Sequence, residues 1–261
     1  MKFEDYKIAK VLKAEISNMG WTRPTDIQFK AIHSILKGED VLAIAQTGTG
    51  KTASYVIPIL NQLYHQLSAH EEHYVRALVL VPTRELAEQV EEVFKSLGKS
   101  TTVRTLSILG GVTQDAQIEA LNNGVDVIIA TPGRMFDLIA QEKLKVNRLQ
   151  TLVLDEADHM LSLGFIKDIR DLMRHIPHQR QTLFFSATID KGIKKVAYEL
   201  VRNAIRIQIS PKNPVSKNIE HTVAFVEMDD KRFFLENIIK ENEDLKIMVF
   251  VRTKVRAERV V

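Results

Sequence analysis

A glycine-rich stretch from Ala45 to Thr52 contains the residue types that bind phosphate groups. Gly48 and Gly50 permit a tight turn and a close approach of backbone N–H groups to an anion. In this phosphate-binding loop pattern, or P-loop, the Lys51 side chain reaches the β- and γ-phosphates of a nucleotide, and the Thr52 hydroxyl binds Mg²⁺. The pattern begins with Ala45 instead of glycine, which still fits if Ala45 ends a strand. The predicted nucleotide-binding residues of the loop are Gln46, Thr47, Gly48, Thr49, Gly50, Lys51 and Thr52.

A second candidate is the acidic pair Asp155 and Glu156, which ends an apolar run at 151–155. In a chain with a P-loop, a carboxylate after a strand suits the Mg²⁺ of a nucleotide hydrolase, and we expect Asp155 to hold it through water. Glu156 would then orient or deprotonate the attacking water. The predicted catalytic residues are therefore Glu156, Asp155 and Lys51. The alternatives are a glycine-rich turn that holds no ligand, and acids that only stabilise the start of a helix.

Alternating apolar strands and amphipathic helices must position these motifs. The periodicity predicts strands at 41–45, 77–81, 103–109, 126–130, 151–155, 181–185 and 204–209. It predicts helices at 4–19, 25–37, 51–66, 83–97, 113–122, 132–141, 164–175 and 190–202. This alternation indicates an α/β fold, in which a parallel sheet carries helices on both faces. Ligands of such sheets bind at the carboxyl ends of the strands, and each motif lies at such an end.

Composition limits the function classes that need to be considered. Hydrophobic residues make up 45% of the chain and charged residues 26%, as in ordinary globular proteins. A net charge of +3 permits a nucleic-acid partner without arguing for one. The chain has no cysteine, which excludes disulfides, thiolate metal sites and catalytic thiols. Neither a signal peptide nor a membrane-spanning apolar run is evident, so the expected localisation is cytoplasmic and no membrane partner is expected.

The chain is predicted to contain one complete domain and part of another. The first domain covers 1–209, and a linker at 210–218 follows, rich in proline, asparagine and serine. Residues 219–261 are predicted to form a strand (219–228), a helix (231–241), a strand (246–251) and the start of another helix. Roughly 40 residues are too few for an independent α/β core. We therefore expect 219–261 to be the incomplete start of a second domain.

Further motifs follow one another in an order that resembles one family. They are Pro82-Thr-Arg-Glu-Leu-Ala87, Gly110-Gly111, Thr131-Pro-Gly-Arg134, Asp155-Glu-Ala-Asp158 and Ser186-Ala-Thr188. Together with the P-loop, they resemble the DEAD-box family of ATP-dependent RNA helicases over essentially the whole chain. The resemblance implies a RecA-like P-loop NTPase domain, followed here by the truncated start of a second RecA-like domain. Within the family, the chain looks closest to the bacterial RhlE-like branch, on less specific similarity around 124–134, 154–170 and 249–254.

The resemblance also implies how the chain would recognise ATP. The stretch from Gly20 to Gln28 looks like the adenine-reading Q motif of the family. Phe3 would stack on the base, Thr25 would support the loop, and the Gln28 amide would donate to and accept from the adenine edge. The implied cofactors are ATP and Mg²⁺. A site with paired polar groups should reject guanine, because unmatched buried groups are costly.

RNA is the implied partner, bound through its backbone and largely independently of sequence. The predicted RNA-binding residues are Pro82, Thr83, Arg84, Gly110, Gly111, Thr131, Pro132, Gly133, Arg134 and Arg252. Surface salt bridges are the alternative for Arg84 and Arg134. Ser186, Thr188 and Asp158 would couple hydrolysis to RNA release. The alternative is that the two hydroxyls only cap the following helix.

The leading hypothesis is an ATP-dependent RNA helicase that couples ATP binding and hydrolysis to RNA binding and local duplex unwinding. The later family motifs, which include arginines that stabilise the transferring phosphoryl, would lie beyond Val261. We therefore expect the 261-residue chain alone to bind nucleotide weakly and to hydrolyse it very slowly. The alternatives are a non-catalytic RNA clamp that uses ATP as a latch, and a DNA helicase or translocase of the same superfamily.

Overall fold

The computed structural model describes residues 1–67, 74–111, 113–209, 220 and 222–260. Two compact units are present, Met1–Pro211 and Lys212–Val261. The strands of the first unit are β1 (Val41–Ile44), β2 (Ala77–Leu80), β3 (Thr105–Ile108), β4 (Val127–Ala130), β5 (Thr151–Leu154), β6 (Gln181–Ser186) and β7 (Ile205–Gln208). They form one seven-stranded sheet in the order β3-β4-β2-β5-β6-β1-β7, and every neighbouring pair is parallel.

Helices cover both faces of this sheet. After a short 3-10 turn at Phe3–Asp5 they are α1 (Lys10–Asn18), α2 (Asp26–Leu36), α3 (Lys51–Gln66), α4 (Arg84–Leu97), α5 (Gln114–Asn122), α6 (Pro132–Ala140), α7 (Ala157–Ser162), α8 (Ile166–Leu172) and α9 (Lys191–Leu200). Side chains of α1 to α4 pack in one apolar layer with Val41 and Ala43, whereas side chains of α6 to α9 pack in the other with Leu42 and Ile44. Because both faces are covered, the central strands are continuous apolar runs.

The predicted RecA-like α/β architecture is confirmed. Most predicted elements differ from the observed ones by only a few residues at their ends. The helix predicted at 164–175 is shorter, as α8, and the short helix α7 precedes it without having been predicted. Gly164, with a φ of +89°, lies between the two helices, and such a backbone conformation interrupts a helix. No helix among the described residues is long and apolar enough to cross a membrane.

The second unit contains α10 (Lys231–Glu241) and α11 (Lys254–Val260). The helix predicted at 231–241 is confirmed, but the two predicted strands are wrong where the structure describes them, because neither 222–228 nor 246–251 forms a strand. A strand needs neighbours to pair with. The described residues of this unit form no core on which to build a sheet, and α10 buries none of its residues. The predicted linker at 210–218 lies outside the described residues, as do residues 219 and 221 of the first predicted strand.

Candidate nucleotide and nucleic-acid sites

The P-loop connects β1 to α3 and has the geometry of an anion cradle. The Ala45 N–H donates to the Ser186 carbonyl at 3.0 Å, so Ala45 continues the strand and its alanine is accommodated as predicted. Gly48 and Gly50 have φ values of 78° and 90°, which few other residues adopt. A Cβ on Gly50 would lie 2.5 Å from the Gln28 Nε2, so any other residue here would also have to displace the Gln28 amide. The turn is closed by the Thr49 hydroxyl, which donates to the Gln46 carbonyl at 2.7 Å.

Lys51 is the first residue of α3, and its side chain is only 6% exposed. Its Nζ is buried and has no hydrogen-bond partner among the described residues. A buried ammonium without an acceptor is costly, and such a group normally has a partner. A phosphate oxygen in the loop would supply that acceptor. The residues present therefore fit a nucleotide phosphate.

The acidic motif follows β5, with β6 between it and the P-loop strand. Asp155 is 2% exposed, and its Oδ1 accepts from the Glu156 N–H at 2.9 Å. Burial raises the pKa of Asp155, although the nearby Lys51 charge and a hydrogen bond from Tyr55 oppose this shift. Glu156 has a φ of +51°, an uncommon conformation for a non-glycine residue that often marks functional sites.

One cavity of about 330 Å³ brings the two motifs together. Its lining residues are Thr47, Gly48, Gly50, Lys51, Thr52, Leu86, Gln89, Asp155 and Glu156. No cluster of three or more His, Asp or Glu side chains able to hold a metal occurs in the part of the chain that the structure describes. Mg²⁺ does not need such a cage, because it is usually held by one or two carboxylates together with substrate phosphates and water. The oxygens of Thr52 and Asp155 fit this mode of binding.

The cavity includes residues that the sequence analysis missed. Leu86 and Gln89 come from α4, which begins at the predicted RNA-binding motif. Tyr55 lies behind the cavity, and its Oη donates to Asp155 Oδ2 at 2.9 Å. The sequence offered one signal for Tyr55, because a tyrosine within an apolar helix face usually has a hydrogen-bond partner for its hydroxyl.

The predicted Q motif contacts the P-loop directly. Gln28 is 5% exposed; its Oε1 accepts from the Thr25 N–H at 2.9 Å, and its Nε2 donates to the Gly50 carbonyl at 3.2 Å. Each amide atom retains the capacity for one further hydrogen bond. Phe3 is 3% exposed and packs near Tyr6, with 6.1 Å between the ring centroids. The roles of these residues in reading adenine stay predictions.

The predicted coupling residues form a hydrogen-bonded link between β6 and α7. Asp158 Oδ2 accepts from both the N–H and the hydroxyl of Thr188 at 3.0 Å, and the Ser186 hydroxyl donates to the Thr188 carbonyl at 2.7 Å. Partial burial opposes the Asp158 charge, but the hydrogen bonds outweigh it and lower the pKa of Asp158. The alternative that the two hydroxyls cap α9 is wrong, because Asp190 is the N-cap and accepts from the Ile193 N–H at 2.8 Å.

Apart from Arg252, the predicted RNA-binding groups lie at the ends of β2, β3 and β4, in the other half of the sheet. Pro82 is buried, and Thr83 is the N-cap of α4, where its hydroxyl accepts from the Leu86 N–H at 3.2 Å. The exposed Arg84 guanidinium lies against Gly110 and Gly111, so the two motifs are brought together. A Cβ on Gly111 would collide with this guanidinium.

The third strand of this half, β4, leads into α6. Thr131 is its N-cap and Pro132 is its first residue. Apart from its chain neighbours and the helix backbone, no heavy atom lies within 4 Å of the Cβ position of Gly133. Arg134 is partly buried in the first turn of the same helix. Arg252 belongs to the second unit, where it is exposed. No salt bridge to Arg84 is formed within the ranges that the structure describes, and all of these RNA-binding roles stay predictions.

The parallel sheet, the P-loop and the acidic motif two strands away define a RecA-like nucleotide-binding domain. Residues 25–196 match the sequence profile of the DEAD/DEAH box helicases. The chain belongs to that family, as its motifs predicted.

Relatives with curated descriptions are similar over nearly the whole chain. The DEAD-box ATP-dependent RNA helicase RhpA of Helicobacter pylori is 37% identical over 259 residues, which cover 99% of this chain and 51% of that protein. CshA of Streptococcus pneumoniae, described in the same words, is 36% identical over 260 residues, 100% of this chain and 49% of that protein. The ATP-dependent RNA helicase RhlB of Xanthomonas oryzae pv. oryzae is 38% identical over 263 residues, 99% of this chain and 46% of that protein. The chain thus spans about half the length of these relatives, and its placement in the RhlE-like branch stays a prediction.

Proposed function

We propose that this chain is the ATP-binding part of an ATP-dependent RNA helicase, which couples ATP binding and hydrolysis to RNA binding and local duplex unwinding. The observation that carries the proposal is the buried Lys51 ammonium without an acceptor, facing a cavity that also contains Asp155 and Glu156. The printed descriptions of the relatives, as ATP-dependent RNA helicases, support the same activity. The proposed setting is cytoplasmic.

In the nucleotide site, the backbone N–H groups of the P-loop and the N-terminus of α3 would bind the phosphates. Lys51 would pair with their charge, and the Gln28 amide would read the adenine edge with its remaining hydrogen-bonding capacity. Mg²⁺, held by the Thr52 hydroxyl and by Asp155 through water, would neutralise charge on the phosphates. Glu156 would hold the attacking water and take its proton.

RNA would lie across the ends of β2, β3 and β4. Arg84 and Arg134 would contact phosphates, while the backbone at Gly110, Gly111 and Gly133 would come close to the sugar-phosphate chain. None of these groups is a base reader, so affinity should fall steeply with salt and depend little on sequence. The choice of RNA over DNA would require contacts to 2′-hydroxyls.

The coupling between the two sites would pass through Asp158 and Thr188. Asp158 is two residues after the proposed base Glu156, and its carboxylate holds the Thr188 N–H and hydroxyl. A shift of the acidic motif during hydrolysis would therefore be transmitted to the loop after β6.

The two rival functions have weaker support. A non-catalytic clamp has no need for a general base, yet Glu156 lines the cavity beside Lys51. A DNA translocase is disfavoured by the descriptions of the relatives. Competition between single-stranded RNA and single-stranded DNA of the same sequence separates the RNA and DNA hypotheses.

The test of the proposed function is nucleotide binding by the 261-residue chain, followed with ADP that carries a fluorescent label on its ribose. We expect binding in the wild type, loss of binding in Lys51→Ala, and no change in the control Lys99→Ala, which alters an exposed lysine elsewhere. RNA-stimulated ATP hydrolysis is then compared with that of Glu156→Gln, in which the slow turnover expected of the wild type should disappear. Equal ADP affinity in wild type and Lys51→Ala would reject the site, and turnover that survives Glu156→Gln would reject the role of Glu156.

A further inference from the structure

Tyr55 occupies an unusual place behind the nucleotide cavity. It lies one helical turn after Thr52 on α3, and its side chain is fully buried. Its hydroxyl donates to Asp155 Oδ2 at 2.9 Å. The hydroxyl thus contacts one of the two residues whose oxygens fit Mg²⁺.

Packing alone does not require this hydroxyl. The ring of Tyr55 stacks in the core against Phe185, with 5.3 Å between centroids and an interplanar angle of 57°, and a phenylalanine would make the same contact. A hydroxyl in an apolar helix face is tolerated only when it is hydrogen-bonded. The partner here is a buried carboxylate, which makes the bond charge-assisted.

The bond from Tyr55 completes the restraint on Asp155. The Glu156 N–H holds Oδ1 at 2.9 Å, and Tyr55 holds Oδ2 at the same distance, so rotation of the carboxylate about its terminal torsion is opposed from both sides. The unused lone pairs then keep a fixed direction. Residues that orient metal-binding groups in this way typically contribute 10–100-fold to metal affinity.

We propose that Tyr55 is a positioning residue for the Mg²⁺ site, where its hydroxyl fixes the Asp155 carboxylate before the metal ion arrives. The inference rests on the proposed function, since it assumes that a nucleotide with Mg²⁺ occupies the cavity. Tyr55 does not line the cavity itself. It acts through Asp155, and it determines how well Mg²⁺ strengthens nucleotide binding.

The test measures binding of the fluorescent ADP first in EDTA and then as a function of Mg²⁺ concentration. In Tyr55→Phe, which keeps the ring, we expect unchanged affinity in EDTA and a Mg²⁺ midpoint raised by about tenfold. Tyr64→Phe, the same substitution on the same helix away from the site, is the control and should keep the wild-type midpoint. A wild-type midpoint in Tyr55→Phe would overturn the proposal, as would an equal loss of ADP affinity with and without Mg²⁺, which would indicate a purely structural role.

A double-mutant cycle keeps the inference testable if Tyr55→Phe is also less stable. If Tyr55 acts through Asp155, the Tyr55→Phe change should have no further effect on the Mg²⁺ midpoint in an Asp155→Asn background. Additive effects would overturn the proposal. Failure of the wild type to bind ADP in either condition is a different result, because it would reject the nucleotide site itself and this inference with it.

Discussion

The two halves of the sheet edge differ in how their functional groups are held. In the half formed by β5, β6 and β1, the side chains of Gln28, Lys51 and Asp155 are buried, and hydrogen bonds fix Gln28 and Asp155. In the half formed by β2, β3 and β4, Arg84 is exposed, and the space beside Gly133 is open. A small ligand with fixed charges can be met by a rigid pocket, whereas a polymer backbone requires an accessible surface. The difference predicts which substitutions affect each half.

The largest expected effect is on the half formed by β5, β6 and β1, where we propose that the nucleotide binds. Lys51→Ala should weaken ADP binding by on the order of 100-fold, since a charge-assisted contact in a buried site is lost. Binding of single-stranded RNA without nucleotide should stay within about twofold of the wild type, because Arg84 and the glycines are untouched. Fluorescence anisotropy with labelled ADP and labelled RNA measures both. A comparable loss in RNA binding would mean that the two halves are not separate sites.

A matched pair of glycines tests the difference in rigidity. Gly50→Ala should lower the free energy of unfolding by about 1–3 kcal/mol, because the residue has a φ of 90° and its new Cβ would meet Gln28. Gly133→Ala should leave the free energy of unfolding nearly unchanged, since its Cβ would point into open space. Urea denaturation measures both variants. Equal destabilisation by Gly133→Ala and Gly50→Ala would contradict the open space beside Gly133.

Arg84→Ala tests the half formed by β2, β3 and β4, where we propose that RNA binds. The loss of one phosphate contact should weaken RNA binding by about tenfold at low salt and reduce the slope of log affinity against log salt by about one. ADP affinity should not change. Arg174→Ala, which removes an exposed arginine paired with Asp171, provides the control and should alter neither measurement. An unchanged salt dependence in Arg84→Ala would remove Arg84 from the RNA site.

The smallest expected effect concerns the link between the acidic motif and β6. Hydrogen bonds lower the pKa of Asp158 in the folded chain. The charged carboxylate therefore stabilises the folded state at pH values above 3.8, the ordinary pKa of an aspartate. This stabilisation is lost as the pH falls through the lower pKa of the folded state. Asp158→Asn should therefore be less stable than the wild type at neutral pH, and the difference should narrow as the pH falls below 3.8. Urea denaturation as a function of pH measures this. If the difference in free energy of unfolding between the wild type and Asp158→Asn grew on acidification, the lowered pKa of Asp158 would be contradicted.

The sequence predicted the parts of the fold that depend on local pattern. Continuous apolar runs indicated buried parallel strands, and the position of Ala45 at a strand end was read correctly. The family followed from the order of the motifs, each of which needs a particular residue type at a strand end. The confirmed helix at 231–241 shows that helical periodicity is informative even in the small second unit.

The remaining features depend on contacts between residues distant in the sequence. Neither the bond from Gln28 to the Gly50 carbonyl nor the bond from Tyr55 to Asp155 is visible in any local pattern, because the partners are 22 and 100 residues apart. The two strands predicted in the second unit were wrong for a related reason. An apolar run becomes a strand only if neighbouring strands are present to pair with it.

The position of β6 between β1 and β5 has a consequence for sequence divergence. Neighbouring strands lie about 4.8 Å apart, so the P-loop and the acidic motif, two intervals apart, are separated by roughly 10 Å. Backbone hydrogen bonds set this spacing, and they are the same whichever apolar side chains the strands carry. The backbone geometry of the sheet, and not the identity of the apolar side chains, therefore sets the distance between the two motifs. Substitutions among apolar residues in these strands can accumulate without changing the distance that a nucleotide must span.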